Sequence, residues 1–225
     1  MTAFSRRDFL WTGVKGAVAA TALGGAVWPA RASAQSPLTP DAALQQLLDG
    51  NKRFVEKRLT SFDEDLTILK QNTVEKQEPF AAVLSCADSR VPVELVFDQS
   101  IGHLFVVRVA GNVATSEMIA SLEYGAAVLG TKVIMVMGHG SCGAVKATIE
   151  GKAVPGQISQ LFAPIRPAVE AAGPDLEATI KANARIQAKV IATASPLVAG
   201  MIKEGTLKVV AGHYDLGRGT VTVLP

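Results

Sequence analysis

The chain has 225 residues, 48% hydrophobic and 19% charged, the balance of one folded domain with a sizeable core and not of a disordered segment. Its formal charge of +2 gathers in residues 1–34, where Arg6, Arg7, Lys15 and Arg31 outnumber Asp8. The body that remains is close to neutral and lacks the clustered cationic face that nucleic-acid binding requires.

Ser5-Arg6-Arg7-Asp8-Phe9-Leu10 precedes a mildly apolar stretch, Val14 to Val27, and then the small-residue pattern Ala32-Ser33-Ala34. These are the three regions of an export signal. Paired arginines followed by Phe-Leu are similar to the twin-arginine type, an address read by a receptor. The apolar stretch is Gly-rich and shorter than the roughly 20 residues a membrane span needs. A cleaved signal over residues 1–34 is therefore expected in preference to a retained anchor, with one domain over residues 35–225. The destination is the periplasm or another exported location, with no membrane contact beyond the signal.

After the linker Ser36-Pro37-Leu38, Thr39-Pro40 reads as the N-cap and first residue of a helical arm. Leu44, Leu47, Leu48, Phe54 and Val55 mark apolar faces on either side of Gly50-Asn51, which is expected to interrupt the helix. Apolar residues on an arm beyond the main sheet call for a partner subunit to cover them. The run from Phe80 to Leu84 reads as a buried strand that delivers Cys86, Asp88 and Arg90 onto the loop at its end. Leu104 to Val109 is a second, β-branched strand stopped by Ala110-Gly111-Asn112. Ser116-Glu117 opens a helix with Ile119, Leu122, Ala126 and Leu129 on its apolar face and Gly130 as its C-cap.

Lys132 to Met137 is the third strand and ends in Gly138-His139-Gly140-Ser141-Cys142-Gly143. The helix from Cys142 to Glu150 follows, so the His139–Cys142 loop sits at a helix N-terminus. Residues 156–204 read as helical, with breaks at Pro164, Pro167, Gly173-Pro174 and Ser195-Pro196; Ile180, Ala184, Ala188 and Ile191 form a core face. Thr206 to Ala211 is strand four, and Thr220 to Leu224 a short last strand. Strands alternating with helices predict an α/β fold with a mostly parallel, twisted sheet flanked by helices.

Two strand ends thus offer two thiols and one imidazole. Cys86, His139 and Cys142 are ligand types suited to zinc, and the short His139–Cys142 spacing lets one loop supply two of them. Asp88 is near enough to Cys86 to be a fourth ligand or a neighbour of one. Two other readings stay open at this point. The cysteines could be buried apolar thiols with His139 a hydrogen-bonded loop residue, or they could form one disulfide. His103, following Gly102, reads as a surface loop histidine in preference to a proton shuttle.

Cys86-x-Asp88-Ser89-Arg90 with His139-x-x-Cys142-Gly143 resembles the β-class carbonic anhydrases. The resemblance extends to Gly50-Asn51-x-Arg53-Phe54, Val91-Pro92-x-Glu94, Phe105-Val106-Val107-Arg108-x-Ala110-Gly111-Asn112 and Ser121-x-Glu123-Tyr124, and covers about residues 40–225. It implies strand order 2-1-3-4 with an antiparallel edge strand 5. It implies one zinc per chain on Cys86, His139 and Cys142, a homodimer or homotetramer, and reversible hydration of carbon dioxide to bicarbonate and a proton by zinc-bound hydroxide. In that reading Asp88 orients the hydroxide, or closes the site as a fourth ligand, and Arg90 holds the carboxylate ionised. A bicarbonate pocket found in part of the family would use Arg108 and Tyr214, but its tryptophan position is Val83 here. Folded export by the twin-arginine route suits such a metal, which would be loaded before any oxidant meets the thiolates. Two rival functions share the zinc: hydrolysis of carbon disulfide or carbonyl sulfide on the same fold, and non-catalytic zinc holding.

Overall fold

The computed structural model describes residues 36–61, 74 and 76–225; the expected signal over residues 1–34 lies outside them. Helix α1 (Pro40–Val55) begins where Thr39 Oγ1 accepts from the Ala42 N–H at 3.2 Å, a cap that contributes about 1 kcal/mol. The expected break at Gly50-Asn51 is absent, and the helix runs through it. A Cβ at Gly50 would stand 1.8 Å from the Phe97 carbonyl oxygen, so glycine is what lets the helix approach so closely. Asn51 Nδ2 donates to the Val96 and Gly219 carbonyls, and its Oδ1 accepts from the Val221 N–H. These tertiary bonds outweigh the roughly 1 kcal/mol that a mid-helix glycine costs.

Strand β1 (Ala81–Ser85) is buried along its whole length, as expected of a parallel strand covered on both faces. The one-turn helix α2 (Val93–Val96) leads on to β2 (Leu104–Arg108). Helix α3 (Ser116–Glu123) continues into a π-helical turn, Tyr124–Val128. Strand β3 (Val133–His139) extends two residues beyond its expected end and so carries His139 itself. Helix α4 (Gly143–Glu150) ends on Gly151 in the left-handed conformation.

Helix α5 (Phe162–Ala172) contains Pro167, which was expected to break it. The carbonyl this proline forgoes belongs to Ala163 on the exposed side of the helix, where water can replace the lost donor. Helices α6 (Leu176–Ala194) and α7 (Pro196–Lys203) follow, capped by Asp175 and Ser195. Strand β4 (Lys208–Tyr214) reaches three residues past its expected end, and β5 (Val221–Leu224) closes the chain.

The strand order is β2-β1-β3-β4-β5, with parallel pairs throughout except the antiparallel β4–β5 pair. Alternation along the strands divides the core into two layers. Val83, Met135 and Met137 pack with Ala43 and Leu47 of α1 and with Val93, Val96 and Phe97. Ala82, Leu84, Ile134 and Val136 pack on the other face with Leu122, Ala184, Ile191 and Val198. Each of the larger apolar side chains among them, Val, Leu, Ile, Met or Phe, contributes about 1.5–3 kcal/mol by full burial. A third cluster, Cys86, Val113, Cys142, Val145, Ile165 and Ile180, caps the C-terminal ends of β1 and β3. The sheet order reverses between these strands, so their ends open side by side. Among the described residues no helix is long and apolar enough to cross a membrane.

Candidate metal centre

Cys86 follows the last residue of β1, His139 is the last residue of β3, and Cys142 is the N-cap of α4. Parallel register brings them together, because Ser85 pairs with Met137 two residues before His139. Ser141, at φ 57, turns the loop from His139 back toward α4. The three side chains are 5%, 0% and 1% exposed, and their ligand atoms all lie within 4.8 Å of one another. Both cysteines are free thiols.

His139 Nδ1 lies 2.9 Å from the Gly140 carbonyl oxygen. A carbonyl only accepts, so Nδ1 carries the proton and Nε2 presents its lone pair. That nitrogen is buried with no hydrogen-bond partner among the described residues. A buried, unsatisfied imidazole lone pair beside two thiols is a costly arrangement for the bare chain. It is also the donor set that suits zinc.

The local charges prepare the Cys86 sulfur for the same use. The Cys142 thiol, His139 and the N–H groups of Gly111 and Asp88 hold the Cys86 thiol well below its ordinary value, against the opposing effect of burial. The Cys86 sulfur in turn pushes the Cys142 thiol up, and burial adds to this. Burial pushes the His139 imidazole down, but the Cys86 sulfur outweighs it and the net shift is upward. The two coupled thiols therefore retain a proton between them in the bare chain, and a divalent cation would displace it.

Asp88 stands at the rim. Its Oδ2 lies 3.8 Å from His139 Nε2. Arg90 donates to it three times: Nε to Oδ1 at 2.9 Å, Nη2 to Oδ2 at 2.8 Å, and the backbone N–H to Oδ1 at 2.9 Å. The Arg90 guanidinium holds the Asp88 carboxyl well below the usual carboxylate range. Arg108, opposite Ser85 on β2, donates from Nε to the Cys86 carbonyl at 3.0 Å and from Nη2 to the Asp88 carbonyl at 2.6 Å. It thereby clamps the loop that carries both residues.

This pairing of a buried Cys-His-Cys cluster with an Asp-Arg rim accompanies a match of residues 81–221 to the carbonic anhydrase family model. The chain belongs to the carbonic anhydrase family. It is 39% identical over 134 residues to a carbonic anhydrase of Mycolicibacterium smegmatis, an alignment covering 58% of this chain and 65% of that protein. Against carbonic anhydrase 2 of Mycobacterium tuberculosis it is 43% identical over 110 residues, covering 49% of this chain and 53% of the relative. The chain thus spans between half and two thirds of these relatives. Among solved structures it is similar to the Coccomyxa β-carbonic anhydrase in complex with acetazolamide, with a TM-score of 0.63 at 26% identity over 80% of this chain and 86% of that one. The fold, with its mostly parallel sheet, is that of a β-class carbonic anhydrase.

Other residues singled out in the sequence lie at varying distance from this family site. Val83 is fully buried in the middle of β1, opposite Val106 and Met135. Tyr214 ends β4 beside His139, and its carbonyl accepts from the Gly140 N–H at 3.0 Å. His103 precedes β2 at the opposite end of the parallel strands from Cys86, so it is not brought to the site.

Several supporting groups escaped the sequence reading. The Gly111 N–H donates to Cys86 Sγ at 3.3 Å. Gly111 has φ 75, which strains any side chain, and a Cβ there would also push on the Ile165 side chain at 2.7 Å, so glycine is favoured. Asn183 Nδ2 donates to the Gly111 carbonyl at 2.8 Å, and Gln187 accepts from the Ala114 N–H at 2.9 Å. The signal for these two was the polar stripe Thr179, Asn183, Gln187, four residues apart beside the apolar stripe of α6.

Proposed function

We propose that this chain catalyses the reversible hydration of carbon dioxide to bicarbonate and a proton, with one zinc held by Cys86, His139 and Cys142. The observation that carries the reading is the buried, partnerless His139 Nε2 lone pair facing two thiols, with an Arg90-held carboxylate 3.8 Å away. Zinc held there by three protein ligands would supply a Lewis acid that brings the pKa of a bound water toward neutrality.

The residues around the cluster do the rest. Asp88, ionised and oriented by Arg90, accepts a hydrogen bond from the attacking water and aims its lone pair at the carbon of CO₂. With both carboxylate oxygens engaged by Arg90, the open arrangement is favoured over closure of the site by Asp88. Two thiolates donate more charge to a metal than two imidazoles would. The Gly111 N–H on Cys86 Sγ draws some of that charge away, as second-shell donors do. The apolar residues Val113, Val145, Ile165 and Ile180 beside the cysteines limit competing solvent.

A homodimer or homotetramer belongs to this reading. Strand β2 is the outer strand of the sheet, and Tyr124 and Val128 near it are each 47% exposed, an apolar pair that a second subunit could cover. Export by the twin-arginine route is proposed on Arg6-Arg7 and the apolar stretch that follows them.

Stopped-flow measurement of CO₂ hydration on purified, zinc-replete protein tests the activity, with carbonyl sulfide and carbon disulfide as comparison substrates. Hydration above the buffer background is expected. A zinc-replete protein at background would rule the reading out, and faster turnover of either sulfur substrate would reassign it.

A further inference from the structure

Ser141 joins the two halves of the site, and its outer partner is Glu177 in the first turn of α6. Its carbonyl faces Arg90 Nη2 at 3.5 Å, and its N–H donates to Glu177 Oε1 at 3.3 Å. Ser141 has φ 57, a left-handed conformation that disfavours any residue but glycine, asparagine or aspartate. The loop between His139 and Cys142 therefore needs an outside group to hold it. Glu177 Oε1 also lies against Gly140, about where a side chain there would make ordinary van der Waals contact with it.

Glu177 is well placed to be the holder. Asp175 caps α6 from 2.6 Å, and the positive end of the helix favours an acid in its first turn. The second carboxylate oxygen lies 3.1 Å from His213 Nε2, which draws that oxygen toward itself and leaves Oε1 facing the Ser141 N–H. Asn183, farther along the same helix, holds Gly111 against Cys86. Helix α6 thus reaches both sides of the cluster.

We infer that Glu177 is a positioning residue for the His139–Cys142 loop, retaining the metal by accepting the Ser141 N–H. The inference rests on the zinc site proposed above. Its partner on the loop is a peptide group, so acceptor capacity is what counts and the charge is secondary.

The test compares zinc-loaded wild type, Glu177→Ala and Glu177→Gln for the rate of zinc transfer to a coloured chelator, alongside the unfolding midpoint of each metal-free protein. Loss of an outer-shell partner typically weakens metal binding by 10–100-fold, so Glu177→Ala should release zinc about 10-fold faster. Glu177→Gln keeps an oxygen facing Ser141 and should stay within about 2-fold of wild type, since the hydrogen bond survives. Glu177 is 49% exposed, so the metal-free midpoints should coincide. A wild-type release rate in Glu177→Ala overturns the inference, as does a Glu177→Gln variant that loses zinc as fast as the alanine variant. A parallel fall in metal-free stability would make the role structural and overturn it too. A wild type that takes up no zinc would overturn both this inference and the proposed site, whereas a zinc-loaded wild type with an unaffected alanine variant sinks this one alone.

Discussion

Arg90 grips both carboxylate oxygens of Asp88, from Nε at 2.9 Å and Nη2 at 2.8 Å. The fork keeps the carboxylate charged and turns it toward the rim of the Cys86, His139 and Cys142 cluster. Asp88→Asn preserves size but puts an amide donor where an acceptor is needed and leaves Arg90 without its counter-charge. Hydration should fall by about 10² or more, the range for a positioned catalytic group, while zinc content and fold persist. The rate is to be measured above pH 8, where any Asp88-closed form is least favoured. A fully active, zinc-replete variant would remove Asp88 from the mechanism.

Zinc content follows from the sulfurs. Cys86→Ser and Cys142→Ser each replace a soft thiolate by a hard alcohol oxygen, which holds zinc poorly. Metal analysis should give one zinc per wild-type chain and close to none in either variant. Full zinc in both would place the metal elsewhere.

Arg108 spans the Cys86 and Asp88 carbonyls with two different nitrogens. Lysine has one nitrogen and no fork, so Arg108→Lys should release one of the two carbonyls and loosen the loop. A drop of about 10-fold in kcat with zinc retained is expected, since small misplacements of catalytic groups carry large rate costs. Equal kcat values for the two proteins would reduce the clamp to a passive contact.

Acid stability should depend on a pair outside the Cys86, His139 and Cys142 cluster. Asp98, whose side chain is fully buried, accepts from Arg53 and from the Thr60 and Ser61 N–H groups. Burial pushes its carboxyl up, but these donors outweigh burial and hold it at about 2. A depressed carboxyl stabilises the fold above its unfolded pKa of about 4, and loses that contribution as pH falls toward 2. Asp98→Asn should therefore cost about 2 kcal/mol at neutral pH and progressively less between pH 4 and 2. Denaturant unfolding at several pH values measures this, and a pH-independent gap would contradict it.

The proposed export address would be separable from the fold. If a receptor reads the arginine pair, Arg6→Lys combined with Arg7→Lys should leave a zinc-loaded protein in the cytoplasm. Cell fractionation follows the outcome, and undiminished export would exclude the twin-arginine route.

The strands, their parallel pairing and the candidate ligands were all legible in the sequence, because each rests on a local pattern. Apolar runs name β1 and β3, and the Cys86-x-Asp88-Ser89-Arg90 and His139-x-x-Cys142 spacings name the groups at their ends. Boundaries that depend on distant contacts were not legible. Gly50-Asn51 reads as a break until the Phe97 carbonyl and the Val96, Gly219 and Val221 backbones are in place to reward it. Strand β4 stretches to Tyr214 only because β3 offers a pairing edge as far as His139.

The outer support of the site belongs to the tertiary structure altogether. Glu177 meets Ser141 across 36 residues, Asn183 meets Gly111 across 72, and Arg108 meets Asp88 across 20. Periodicity can mark Asn183 as a polar residue on an apolar helix, but it does not say that Gly111 is its partner. Period and spacing report which face of an element is apolar and which side chains share a loop, both local properties of the chain. A single hydrogen bond between remote groups forms only after burial of the two core layers has set the helices against the sheet, so its specificity exists in three dimensions alone.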